Sequence, residues 1–241
     1  WTIGTLRLRR TPNMLKVTDL ALERMDQSRD FLTGKDVTTA LVGIARLGIV
    51  MRIYPGHFLS ALGGSRGLSV MMPHEVASCT WALGKVGASW DSFPFQLRKA
   101  ASDGIARTLP EMEPQGVANT IYGLSLLRMK WKILPPVLQD TLLFNLQRTV
   151  GGMKEIETSN CLSGLGRLGC DWNSLPPTLR DSFGTAFLRV TKELGRQGLT
   201  QQVHGLGRMN TKFASLPKKV RDGLLGKIKK LSEELNDQEI A

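Results

Sequence analysis

Asn119, Tyr122 and Leu126 form a set whose places recur along the chain. Asn160, Ser163 and Arg167 follow 41 residues later, and Gln201, His204 and Arg208 another 41 later. Ser78, Trp81 and Lys85 lie 41 residues before the first set, and Thr39, Val42 and Arg46 a further 39 before those. The first place always carries an amide or a hydroxyl, the second is variable and partly aromatic, and the third is basic in four of five sets. Such side chains suit single-stranded RNA: amides pair with base edges, rings stack on bases, and cations hold phosphates. Leu126 interrupts the basic place, where Arg128 or Lys130 offers a substitute. A polar stripe is also what any amphipathic helix turns to water, so a solvated scaffold face is the competing reading.

Other chemistry finds little to rest on. Gly164, Gly166 and Gly169 spell GxGxxG, but a dinucleotide site needs that motif between a strand and a helix, and no strand pattern precedes it. His57, His74 and His204 are scattered, with no second ligand at metal spacing. No Ser/His/Asp, Cys/His or paired-carboxylate arrangement stands out. The expectation is a non-catalytic protein with neither cofactor nor metal.

The elements that position the five sets are set out by prolines. Pro55, Pro94, Pro135, Pro176 and Pro217 are separated by 39, 41, 41 and 41 residues. Met51, Trp90, Trp131, Trp172 and Phe213 stand four residues before them, and Tyr54, Phe93, Leu134, Leu175 and Leu216 one before. A fixed period of this length marks one supersecondary unit copied in tandem. Ahead of each proline lies a segment with apolar residues at helical spacing, such as Val117, Ile121, Leu124 and Leu127. These segments run Asp36 to Gly48, Glu75 to Gly87, Gly116 to Met129, Glu157 to Gly169 and Gly198 to Asn210. Gly48, Gly87, Gly169 and Asn210 stand where each helix should stop. The proline then opens a second helix at or near its first position. The buried stripes of these second helices read Leu138, Leu142, Leu146; Leu179, Phe183, Phe187; and Val220, Leu224, Ile228.

Three columns stay small beside the first-helix stripe: Gly43, Ala82, Gly123, Gly164, Gly205; Ala45, Gly84, Ser125, Gly166, Gly207; and Thr38, Ala77, Ala118, Ser159, Thr200. Glycine inside a helix costs up to about 1 kcal/mol relative to alanine, so its repetition points to close approach of neighbouring first helices. The large residue four before each proline is expected to plug the hinge. The fold class expected is all-α, an α-solenoid of tandem helix-loop-helix repeats of about 41 residues. Its five repeats span about 36–74, 75–115, 116–156, 157–197 and 198–235. Residues 1–35 form a partial or degenerate repeat, with Pro12, Leu15, Leu20 and Leu22 as its second helix, and 236–241 a polar tail.

Lys and Arg number 32 against 21 acids, a net charge of +11. That surplus favours a polyanionic partner, nucleic acid first, with an anionic membrane or acidic protein behind it. Three cysteines, Cys79, Cys161 and Cys170, form neither a disulfide framework nor a zinc knuckle and fit a reducing compartment. No apolar run approaches the ~18 residues of a membrane span. The chain begins at Trp1, which reads as a processed form or a fragment.

The segment Glu113-Pro-Gln-Gly-Val-Ala-Asn-Thr-Ile-Tyr-Gly-Leu-Ser-Leu-Leu127 resembles the octotricopeptide repeat. The hallmark of that family is an L/V-A-N-x-x-(W/Y)-(A/G)-L-x-x-L/M-G helix followed by an aromatic residue and a proline-led second helix. Val76-Ala77-Ser78 with Trp81-Ala82-Leu83 is similar, as is Asn160 with Gly164-Leu165-Gly166-Arg167-Leu168-Gly169. The resemblance covers roughly residues 36–230. It implies an RNA-binding α-solenoid of a mitochondrion or chloroplast, acting on mRNA or built into an organellar ribosome beside rRNA and other proteins. By matching positions, the RNA contacts it implies are Thr39, Arg46, Ser78, Trp81, Lys85, Asn119, Tyr122, Asn160, Arg167, Gln201, His204 and Arg208. The fifth repeat departs from the pattern, with Gln201, Gln202 and His204 in place of Ala-Asn and an aromatic. A protein scaffold of a large organellar complex, with little RNA contact, is the alternative.

Overall fold

The computed structural model describes residues 31–51, 56–191 and 195–233, with residues 16, 20, 22–25 and 27. From residue 31 onward the helices are α1 (Gly34–Arg46), α2 (Gly56–Gly63), α3 (Pro73–Lys85), α4 (Phe95–Thr108) and α5 (Pro114–Leu126). They continue as α6 (Pro136–Thr149), α7 (Glu155–Leu168), α8 (Pro177–Thr191), α9 (Arg196–Arg208) and α10 (Lys218–Glu233). The described residues contain no strand, and the fold is an all-α array of helical repeats. Odd-numbered helices are the first helices of the repeats and even-numbered helices the second. Two compact units divide the chain: Trp1–Met112 with Gly123–Met129, and Glu113–Tyr122 with Lys130–Ala241.

Three of the five first helices start by one recurring device, and all five stop by another. Asp36, Glu75 and Glu157 are not their first residues, as the sequence suggests; α1, α3 and α7 begin two residues earlier. The three carboxylates occupy the third helical position and accept the backbone N–H that precedes the helix, from Thr33 at 2.9 Å, Met72 at 3.0 Å and Lys154 at 2.7 Å. Two otherwise unpaired donors are thereby satisfied at Thr33, whose hydroxyl caps Asp36 N in return. These bonds, the Thr33 hydroxyl foremost, hold the Asp36 carboxyl below its ordinary range. At the other end, Gly48, Gly87 and Gly169 adopt φ of 68°, 95° and 77°, and Asn210 54°. Arg128 takes the same place at 64°, a conformation its Cβ disfavours. The residue after each donates back across the turn: Ile49 to Ile44, Ala88 to Leu83, Met129 to Leu124, Cys170 to Leu165 and Thr211 to Leu206. Five identical closures are the Schellman arrangement repeated.

A single 3-10 turn then carries the chain to the second helix, as at Trp90–Ser92 and Trp172–Ser174. The prolines open the second helices as expected, from the place just before the first helical residue. Pro94 and Pro135 are the residues before α4 and α6, extended at ψ of 151° and 137°, and their carbonyls accept from Arg98 and Gln139. The hinge is plugged best by the residue directly before the proline: Phe93, Leu134, Leu175 and Leu216 are all buried. Four residues before it the expectation holds only in part, since Met51 and Trp172 are buried, Trp90 and Trp131 half-buried and Phe213 exposed. Tyr54, Pro55, Pro12, Leu15 and residues 234–241 lie outside the described residues, and Leu20 is exposed.

The apolar stripes close the core as expected, with Val117, Ile121, Leu124, Leu138, Leu142, Leu146, Leu179, Phe183 and Phe187 buried. Ile228 is the exception, exposed on α10. Between first helices, backbones touch. A Cβ placed on Gly123 would lie 2.7 Å from Thr80 and Trp81 backbone atoms. One on Gly205 would lie 2.7 Å from the Leu162 carbonyl carbon, and one on Gly166 2.7 Å from the Gly205 oxygen. Hinge amides tie the same neighbours together: Met51 N to Val86 O at 2.8 Å, Trp90 N to Leu127 O at 2.9 Å and Trp172 N to Met209 O at 2.8 Å. Gly207 and Thr200 depart from their columns by being exposed.

Two glycines of α9, two residues apart, should respond oppositely to the same change. Gly205→Ala is expected to cost about 1–3 kcal/mol by overpacking, while Gly207→Ala, with nothing within 4 Å of its added carbon, should gain about 0.5–1 kcal/mol of helix propensity. Urea unfolding measures both, and shifts of one sign would contradict the helix contact.

Candidate nucleic-acid interface

The second unit builds the better-defined surface. Gly164 of α7 sits against α5, its missing Cβ 3.1 Å from the Tyr122 nitrogen, and Gly205 of α9 sits against α7, 2.8 Å from the Ser163 nitrogen. Each glycine directly follows a second-place residue, Ser163 or His204. Tyr122, Ser163 and His204 therefore succeed one another on adjacent helices at a spacing only small residues permit. Asn119, Asn160 and Gln201 stand three residues before them and are half-exposed, while Arg167 and Arg208 stand four after Ser163 and His204 and are exposed. The Arg208 guanidinium donates through Nε to His204 Nε2 at 3.2 Å, so in this pairing the imidazole carries its proton on Nδ1.

The first unit carries the same places on α1 and α3. Thr39, Arg46 and Lys85 are exposed, and Ser78 and Trp81 half-exposed. Thr39 turns its hydroxyl back to the Lys35 carbonyl at 2.9 Å, so that oxygen is engaged within its own helix. Leu126 is half-buried against the place where a Gly84 Cβ would fall, at 2.5 Å. Arg208 holds the same place against Gly166, where an added Cβ would lie 2.8 Å from its own, so the seam accepts a cation there as well as leucine. Arg128 and Lys130 beside it are exposed.

Some cations have structural duties. Arg107 donates to the carbonyls of Ser69 and Met71, which close the preceding hairpin, and Arg189 does the same to those of Gly151 and Met153. Arg107, Arg148, Arg189 and Lys230 are each 41 residues apart near the ends of second helices, a column that lies outside the outward triplets. Its period is the signal by which the sequence could have revealed it. Lys35 pairs with Glu75 at 3.2 Å, joining α1 to α3. Burial pushes the Glu75 carboxyl upward, but the Met72 N–H and Lys35 outweigh it and leave it below its ordinary value. A second group of exposed cations, Lys218, Lys219, Lys229 and Lys230, lies on the second helix α10.

Gly164 and Gly166 lie inside α7 in contact with neighbouring helices, and Gly169 is its left-handed stop, so the GxGxxG is a packing motif. A cleft of about 340 Å³ beside the short α2 is lined by Leu59, Ser60, Pro94, Gln96 and Leu97 among others and holds no titratable side chain. Among the described residues no three His, Cys, Asp or Glu side chains gather to hold a metal, and no helix is long and apolar enough to cross a membrane.

Burial pushes the Cys79 thiol up to about 12 and the Cys170 thiol up to about 11, and raises that of Cys161 as well. All three are reduced and buried. Thiolate being the reactive form, a chromogenic disulfide reagent at pH 8 should titrate none of them promptly in the native protein and all three in denaturant. Prompt reaction in the native state would show local opening, of a first helix for Cys79 or Cys161 and of the turn after α7 for Cys170. No protein-family model matches the chain, and no curated protein matches it in sequence.

Proposed function

We propose that this chain is a non-catalytic RNA-binding helical-repeat protein that holds single-stranded or structured RNA on the solvent-facing side of its first helices. The observation that carries the reading is the succession of Asn119–Tyr122, Asn160–Ser163–Arg167 and Gln201–His204–Arg208 on three adjacent helices. Each helix offers an edge-reading or stacking group with a cation one turn beyond in two of the three. The net charge of +11 supports a polyanionic partner. The likeness to the octotricopeptide repeat supports a place in organellar gene expression, on mRNA or as a component of an organellar ribosome. Five repeats at about one base each read too short a sequence for unique targeting, which favours membership in a larger ribonucleoprotein.

A second reading, a protein scaffold with little RNA contact, is favoured by Val137 and Phe144, exposed seven residues apart on α6. Binding of mixed single-stranded RNA across a salt series separates the two. Removing one cation from a phosphate should flatten the log–log salt slope by about 0.7, so Arg167→Ala with Arg208→Ala should flatten it by about 1.4. Tyr122→Ala should cost about 1–3 kcal/mol at unchanged slope, the signature of a base deprived of its stacking partner. Unchanged affinity in both variants would remove RNA from this surface and leave the scaffold.

A further inference from the structure

His204 stands where the other first helices carry Val42, Trp81, Tyr122 and Ser163, and one turn beyond it stands Arg208. This is the one set of the five that pairs a ring acceptor with a guanidinium at that spacing. Val42 has no polar side-chain atom, the Trp81 indole only donates, and Tyr122 precedes Leu126. Arg167, one turn beyond Ser163, is exposed and bonds to no side chain among the described residues. His204 and Arg208 are exposed too, yet the guanidinium donates through Nε to His204 Nε2 at 3.2 Å. The root of Arg208 is held as well, its Cβ lying 2.8 Å from where a Cβ on Gly166 of α7 would stand. The side chain is thereby fixed at two points, and Nη1 and Nη2 make no bond within the described chain. The remaining amides of this repeat are largely spent. Gln202 is buried and donates to Ser159 Oγ at 3.1 Å across the seam, and Asn210 donates to Asp171 Oδ2 at 3.3 Å. Gln201 is left half-exposed.

We propose that His204 is a positioning residue for Arg208, and that the fifth repeat grips a phosphodiester without selecting a base. With Nε turned to the imidazole, Nη1 and Nη2 present a planar pair of donors that matches two phosphate oxygens. Nε2, the ring acceptor that could have read a base edge, is committed to the arginine. A long side chain loses rotamer freedom when it binds, and one held beforehand loses less, so the bond acts on affinity. Both groups being exposed, it has little bearing on folding. Arg167 contributes charge alone, whereas Arg208 contributes charge with direction. The role rests on the reading of this row as an RNA face and narrows it: selection belongs to Asn119, Tyr122 and Asn160, and the fifth repeat holds the backbone whatever the sequence.

Binding to poly(A), poly(C) and poly(U) across a salt series tests the assignment. His204→Ala should weaken binding by about three- to tenfold on all three polymers alike. Its salt slope should not change, because a neutral imidazole displaces no counterion. Arg208→Ala should flatten the slope by about 0.7, and in that background His204→Ala should bring no further loss. His204→Gln returns an acceptor without a ring and should restore affinity to within about twofold. Loss concentrated on poly(A), loss that adds to that of Arg208→Ala, or no rescue by glutamine would make His204 a stacking residue and overturn the positioning role. No loss in His204→Ala, in a protein that still loses affinity through Tyr122→Ala, would overturn it and leave the RNA face standing. Binding indifferent to Tyr122→Ala and to the joint loss of Arg167 and Arg208 would remove the RNA face, and the positioning role with it.

Discussion

Contact between helix backbones is the constraint from which the rest follows. Where Gly123 meets Thr80 and Trp81, Gly164 meets Tyr122, and Gly205 meets Leu162 and Ser163, there is no room for even one carbon atom. Such contacts fix both the distance and the rotation of one first helix on the next, because backbones can approach this closely only where small residues line the seam. The apolar stripe is then committed to the second helices and the opposite stripe to solvent. The helix-propensity cost of the interior glycines is offset by dispersion along the seam and by the hinge amides of Met51, Trp90 and Trp172, which find carbonyl partners on the following repeat.

The same constraint explains why the candidate interface is a row. Tyr122, Ser163 and His204 each lie beside a seam, so their lateral order is set by the glycines that follow or face them. Arg167 and Arg208 project one turn further along. The side chains are free to differ from repeat to repeat because none of them holds the seam. Arg208 and His204 touch each other within one helix, and Leu126 and Arg208 both set their Cβ against a seam glycine of the preceding first helix.

Much of this is legible because period and residue type coincide. The prolines set the register, and the register sorts buried from solvent-facing positions at Val117, Ile121, Leu124 and Asn119 without error. What misleads is local. Asp36, Glu75 and Glu157 look like helix starts because acids favour the first turn, yet they stand at its third position, accepting a bond from the backbone before it. Pro94 and Pro135 mark the second-helix starts to within one residue, although their extended backbone just before the first turn is not something the sequence shows. The duty of Arg107 and Arg189 is hidden from the sequence, which cannot show that a guanidinium reaches the carbonyls of a loop nearly 40 residues earlier. Ile228 and Phe213 look like core residues by analogy with Phe187 and Trp172, and the analogy fails because no described repeat packs against them. RNA contact itself is not legible from either source, because amide, aromatic and basic places describe a capacity.

The bonds between hinge amides and the carbonyls of the next repeat are made by main-chain atoms at both ends. Side-chain identity has no vote in them beyond the demand for smallness at the seam. A lineage carrying such a joint can duplicate, delete or exchange whole repeats without renegotiating the fit, much as identical couplings let wagons be reordered. Variation is thereby channelled into the outward triplets, and the sequence can drift far while the joint stays the same. Arg128, sitting where other repeats place glycine or asparagine, marks how far that drift reaches before it meets the backbone.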